Sequence, residues 1–114
     1  MSEEPFDAAA LRRRVGNDPR VFSKLAAIFA SESVRLLEAL ECQVERGDGP
    51  GAQQVAHELK GMLLNLGAPG AAALARQIES LGAASQCHVA REPMDRLRSE
   101  MQRLGAALSA SLPE

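Results

Sequence analysis

The chain reads as all-α: an antiparallel four-helix bundle with a short extra N-terminal helix. Three observations predict it. Apolar residues return at three- and four-residue spacing through four long segments, the period of one helix face. The 46% hydrophobic content rests on Ala and Leu, with 3% aromatic residues and no Trp or Tyr, which suits helices packed through small and aliphatic side chains. Glycine and proline clusters separate the segments by connections so short that consecutive helices must lie side by side and antiparallel. At 114 residues, the whole chain, 1–114, is expected to be one domain with the bundle running from about 18 to 112.

Each element has its own signal. Asp7 is placed to cap a short first helix to about Val15, ended by Gly16-Asn17. Asp18-Pro19 is a strong second start, an acidic cap followed by proline at the first helical position. From there Phe22, Leu25, Phe29, Leu36, Leu40 and Val44 give a long amphipathic helix to about Arg46, with Lys24, Ser31, Glu38 and Glu45 on its solvated side. Gly47-Asp48-Gly49-Pro50-Gly51 reads as a break. The next helix runs to about Leu66, gathering Ala52, Val55, Leu59, Met62, Leu63 and Leu66 on one side, and Gly67 stops it. Pro69 opens a fourth helix with Leu74, Ile78 and Leu81 inside and Ala71 and Ala75 permitting close approach. Residues 82–92 give no clear periodicity, and either a loop or a frayed continuation fits them. A last helix from about Pro93 shows Leu97, Met101, Leu104, Leu108 and Leu112 on one face, is weakened by Gly105, and ends at Pro113.

Composition excludes several classes of function. A net charge of −2 with both signs interspersed leaves no nucleic-acid footprint. No apolar run approaches the roughly 20 residues of a membrane helix, and Ser2-Glu3-Glu4-Pro5 is unlike a secretion signal, so a soluble, cytoplasmic protein is expected. Cys42 and Cys87 show no ligand or framework spacing and are expected as reduced thiols. There is no Ser-His-Asp set, no HExxH motif and no cysteine next to a base, which argues against an independent enzyme.

One residue does not fit a packing role. At about 100° per residue, His57 points away from the apolar stripe of its helix, with Lys60 and Gly61 beside it at i+3 and i+4. A glycine in a helix interior costs about 1 kcal/mol relative to alanine, so Gly61 needs a packing or access reason. An anion attached to that imidazole finds room and a counter-charge. His88 has no such neighbours and reads as a surface histidine.

Ala56-His57-x-Leu59-Lys60-Gly61, then Asn65-Leu66-Gly67-Ala68, then Leu74 and Ile78-Glu79 resemble the histidine-containing phosphotransfer (HPt) domain of bacterial, fungal and plant phosphorelays. The resemblance covers most of the chain, with the helices in the family's order. It implies a phosphocarrier in two-component signal transduction, without autokinase activity. His57 would accept a phosphoryl group from the aspartate of one receiver domain and pass it to a second. Lys60 would steady the phosphoryl oxygens, Gly61 would give access, and Glu79 would orient the imidazole through its other ring nitrogen. No cofactor of its own is implied, magnesium belonging to the partner receiver domain. The implied partners are response-regulator receivers, of a hybrid sensor kinase and of a downstream regulator, engaged by a monomer. The chain departs from the family after the glycine, where Met62-Leu63-Leu64 replaces small residues. Met62 and Leu63 fall on the core side; Leu64 lies outward, two turns from His57, where it either adds an apolar docking contact or reflects a locally different packing.

Two rival readings remain at this level. His57-Glu58-Leu59-Lys60 echoes the dimerisation and phosphoacceptor segment of sensor histidine kinases, but Gly61-Met62 stands where Thr-Pro follows there. A non-catalytic helical scaffold would keep the bundle and lack transfer.

Overall fold

The structure, a computed structural model, describes residues 8–111. Its helices are α1 (Ala8–Arg14), α2 (Pro19–Glu45), α3 (Gly49–Asn65), α4 (Pro69–Ala83) and α5 (Arg91–Ala110), with a single 3-10 turn, Cys87–Val89, between the last two. No strand occurs among the described residues. The all-α bundle expected from the sequence is therefore the architecture found.

Capping explains where the helices begin. The Asp18 carboxylate accepts the Arg20 N–H at 2.9 Å, and Pro19 follows in the first turn, where its missing donor is not needed. At α3 the Asp48 carboxylate accepts the Gly51 N–H at 2.9 Å. The α2–α3 and α3–α4 turns each close on a glycine at φ near +70°, Gly47 and Gly67. The residues after them, Asp48 and Ala68, donate back to Gln43 and Leu63 carbonyls at 2.9 Å, satisfying carbonyls that the ending helix leaves open.

α2, at 27 residues, is about 40 Å long at 1.5 Å per residue and sets the 44 Å long axis of the molecule. Helices α2 to α5 form a closed ring of neighbours, each packed on the next and α5 returning to α2. Leu40, Leu59, Leu63, Ile78, Leu97, Leu104 and Leu108 are fully enclosed at its centre, and no polar or charged residue among those described is buried with them. α1 closes one end through buried Leu11 and two arginines. Arg14 donates to the Asn65 carbonyl at 2.8 Å and Arg12 to the Ser111 carbonyl at 2.9 Å, both at helix C-termini where cations are favoured.

The tightest pairing is α3 against α4, the pair that carries the site. A Cβ on Gly82 would stand 2.8 Å from the Gly49 carbonyl oxygen and 2.9 Å from the Gln53 nitrogen; one on Gly49 would stand 2.6 Å from the Gly82 oxygen. Backbone meets backbone there, and only glycine fits.

This contact accounts for one departure from the sequence reading. The break across 47–51 is shorter than expected: α3 starts at Gly49, because the Asp48 cap and the seat on Gly82 stabilise a first turn that contains two glycines and a proline. A second departure lies in 82–92. α4 continues through Ala83, Ser85 turns the chain at φ 57°, and the Cys87–Val89 turn, its cysteine buried, packs against α2, α4 and α5. α5 then begins at Arg91, two residues before Pro93, which occupies its first turn. Both cysteines are free thiols. The expected cap at Asp7 and the expected end at Leu112-Pro113 lie outside the described residues.

Candidate functional site

α3 buries Ala52, Ala56, Leu59 and Leu63 in the core. That registry leaves His57, in the middle of the helix, turned out with 69% of its side chain exposed. On α4, the buried run Leu74, Ala75, Ile78 and Gly82 puts Glu79 at the rim next to α3, 18% exposed. The two helices bring together three of the residues singled out in the sequence. His57 Nδ1 lies 2.7 Å from Glu79 Oε2, and Lys60 Nζ lies 2.7 Å from Glu79 Oε1, so one carboxylate is shared between an imidazole and an ammonium.

The electrostatics fix the roles of the ring nitrogens. The Lys60 ammonium, hydrogen-bonded to Glu79, holds its carboxyl below the ordinary value; the His57 bond adds to this, and partial burial opposes it. Glu79 is then ionised at neutral pH and can only accept a hydrogen bond. In the neutral ring His57 Nδ1 is then the nitrogen that carries the proton, and Nε2, on the opposite side, has no hydrogen-bond partner among the described residues. A neutral imidazole held in that tautomer can offer its second nitrogen as a nucleophile.

Lys60 differs from the sequence reading. The spacing puts it beside the outward His57, but its side chain is only 24% exposed and its ammonium is tied to Glu79. The antiparallel α4 lies against that flank of α3, and its position cannot be read from α3 alone. Gly61 answers the question its cost raises: a Cβ there would meet nothing within 4 Å. No contact inside the molecule requires glycine there. Leu64 is 53% exposed, as its angular position on α3 predicted.

The sequence reading missed a groove beside His57. Leu25, Ile28 and Phe29 of α2 face His57, Gly61, Met62 and Asn65 of α3 across it. Ile28 is 54% exposed and Val21, seven residues earlier on the same face, is also exposed. An isoleucine standing off the α2 core stripe was the available signal. Arg35 reaches across from α2 to Glu58 at 3.4 Å while bonded to Glu32 at 2.6 Å. A larger concavity between α2 and α5 reflects small residues such as Ala26, Ala30 and Gly105 there and is remote from His57. His88 lies exposed in the 3-10 turn beside Glu41, Glu45 and Arg91, away from the cluster.

Among the described residues no three His, Cys, Asp or Glu side chains converge as a metal ligand set, and no helix is long and apolar enough to cross a membrane. Residues 24–107 match the family model described as Hpt domain. No curated protein and no solved structure matches the chain.

Proposed function

Since the chain belongs to the Hpt domain family, we propose that it is a phosphocarrier of a two-component phosphorelay, taking a phosphoryl group from one receiver aspartate and delivering it to another through phospho-His57. The observation that carries this reading is the ring geometry: Nδ1 is bonded to Glu79 at 2.7 Å in a side chain 69% exposed, which leaves Nε2 as the nitrogen open to a partner. Phosphoryl transfer asks mainly for in-line positioning and for stabilisation of charge on the phosphoryl oxygens. His57 Nε2 supplies the nucleophile, and Glu79 sets its tautomer and ring orientation. Lys60, next to the ring but anchored on Glu79, contributes positive potential to the site. Gly61 leaves the ring approachable from its side of α3. The chemistry that the metal supplies belongs to the receiver, and the bundle acts as a monomer in the cytoplasm with no kinase activity of its own.

The surface around His57 fits such a partner. Ile28 on α2 and Leu64 on α3 stand apolar and about half exposed around the histidine, and each gains by being covered. Full burial of a leucine or isoleucine side chain is worth about 1.5–3 kcal/mol, so each half-exposed chain has about 1 kcal/mol to contribute. Lys24, one turn before Ile28, and Arg14, anchored on the α3 C-terminus, add positive charge around this surface, suited to a receiver whose phosphorylated aspartate is anionic.

The test is label transfer. Incubated with phosphorylated receiver domains, the chain should take up acid-labile label on His57, and His57→Gln should take up none. ATP alone should label neither. Label retained by His57→Gln, or mapped to His88, would overturn the assignment. A folded chain that takes nothing from any receiver would favour the inert scaffold.

A further inference from the structure

α2 has one face in the core and two outside it. Phe22, Phe29, Leu36 and Leu40 are its buried side, and Ile28 looks toward α3 and the histidine. Val34 belongs to neither. It is 57% exposed, the most exposed large apolar side chain among the described residues. Six residues at 100° each put it about 120° round the helix from Ile28. We propose that this third face pairs two copies of the chain, α2 lying antiparallel to α2, with Val34 of each copy seated in the groove between α2 and α5 of the other. The pairing leaves His57 of both copies open, and below its association range the chain is the monomer that meets a receiver.

The groove has room for such a ridge. α2 and α5 pack more loosely than α3 and α4, and the cavity between them, about 740 Å³, is lined by Phe29, Met101 and Leu108 from the core. Its rims are low, because Ala27 and Ala30 on α2 and Gly105 and Ala106 on α5 bear a methyl group at most. Arg98 closes one end, donating to Glu41 across the groove and to Asp95 at 3.2 Å. On the α2 rim Ser23, Ala27, Ala30 and Val34 follow one another at steps of four, three and four residues, the spacing of a seam between two helices. Ala27, Ala30 and Val34 are nevertheless exposed.

Charge at the two ends of that line names the occupant. Toward the start of α2 it runs into Arg20, 91% exposed and held only by Asp18 at 3.5 Å, with Lys24 on its flank. Toward the end of α2 it runs into Glu38 and Glu45, both exposed. Lys24, Glu38 and Glu45 enter no ion pair among the described residues. A face that is basic at one end and acidic at the other is complementary to itself when reversed. A two-fold axis passing midway between Ala30 and Val34 leaves Arg20 about 18 Å away on one side and Glu45 about 20 Å away on the other, at 1.5 Å per residue. Lys24 and Glu38 lie about 12 and about 9 Å from it. Arg20 of each copy thus comes level with Glu45 of the second, Lys24 with Glu38, and Val34 with Ala30. A parallel pairing would set the glutamates against themselves, and like charges opposed across an interface are costly. The occupant that fits is a second, reversed copy of this chain.

Sedimentation velocity on the full chain, from about 5 to about 500 μM, tests the pairing. Two ridges of this size make a small interface, so wild type should pass from monomer toward dimer in the upper part of that range. Val34→Asp should stay monomeric throughout, with a melting temperature close to wild type because the side chain is exposed. Arg20→Glu and Glu45→Arg should each raise the dissociation constant about tenfold, as two symmetric ion pairs become repulsions. Both changes follow the helix dipole, so α2 should keep its fold. The Arg20→Glu/Glu45→Arg double variant carries the exchanged charges on one chain and should return to within about threefold of wild type. An antiparallel pair allows that recovery and a parallel one does not. Wild type that remains monomeric at about 500 μM would overturn the proposal and leave the groove to another occupant. A Val34→Asp chain that dimerises like wild type, or a double variant as weak as either single one, would overturn it as well. If Val34→Asp does not fold, the charge exchange decides alone. None of these measurements loads His57, so their outcome is independent of the phosphotransfer reading.

Discussion

Replacing Gly61 by alanine separates what this residue does for the fold from what it does for a partner. In the interior of α3, one turn from His57, alanine is favoured over glycine by about 1 kcal/mol, partly because the unfolded chain loses freedom. The added methyl meets no atom within 4 Å, so no clash offsets that gain. For a domain of this size 1 kcal/mol corresponds to about 4 °C in melting temperature, and Gly61→Ala should melt about that much higher. Docking should respond in the opposite sense. A partner seated over His57 packs at the density of a protein interior, and an extra methyl in such a contact costs about 1–3 kcal/mol. At 1.4 kcal/mol per factor of ten, receiver affinity should fall by about five- to 150-fold. Thermal melting beside receiver titration by calorimetry reads both. A variant that binds and accepts phosphoryl like wild type would show that Gly61 does not serve access. A variant that melts lower would show that the space beside it is not open.

Other changes probe the remaining parts of the argument. Leu64→Asp, at a position 53% exposed, should melt within about 0.5 kcal/mol of wild type yet bind its receiver several-fold more weakly, because a docked partner would leave the aspartate unpaired; a collapse in melting temperature would mean that α3 is turned differently. Gly82→Ala should lose about 1–3 kcal/mol in urea unfolding, since its methyl would stand 2.8 Å from the Gly49 oxygen with only backbone to yield; an unchanged midpoint would show that α3 and α4 do not meet there. Glu79 carries a folded-state pKa below its ordinary 4.5, so its stabilisation is complete above about pH 4.5 and is lost as the pH falls through the lowered value. Glu79→Gln should accordingly flatten that part of the acid-unfolding curve; superimposable acid limbs would mean that the cluster adds no stability.

What the sequence by itself determined follows from local rules. Helix period, the cap at Asp18, proline in first turns and glycine after last ones act within a few residues. They were sufficient for the all-α bundle, for the outward direction of His57 and Leu64, and for the expense of a glycine at 61. They failed where two distant segments meet. The break across 47–51 read as wholly non-helical because three glycines and a proline disfavour a helix locally; the seat of Gly49 on Gly82 makes the shorter turn favourable, and no local rule contains that contact. Residues 82–92 were unreadable for a similar reason, since the short turn there, with Cys87 buried, packs against three helices. Lys60 is the instructive case at the site. Its angle on α3 put it on the exposed face beside His57, whereas its ammonium is engaged because α4 brings Glu79 alongside, 19 residues later in the chain. The pairing of His57, Lys60 and Glu79 through one carboxylate, and with it the choice of Nε2 as the free nitrogen, belongs to the distance between two helices, which only their packing decides.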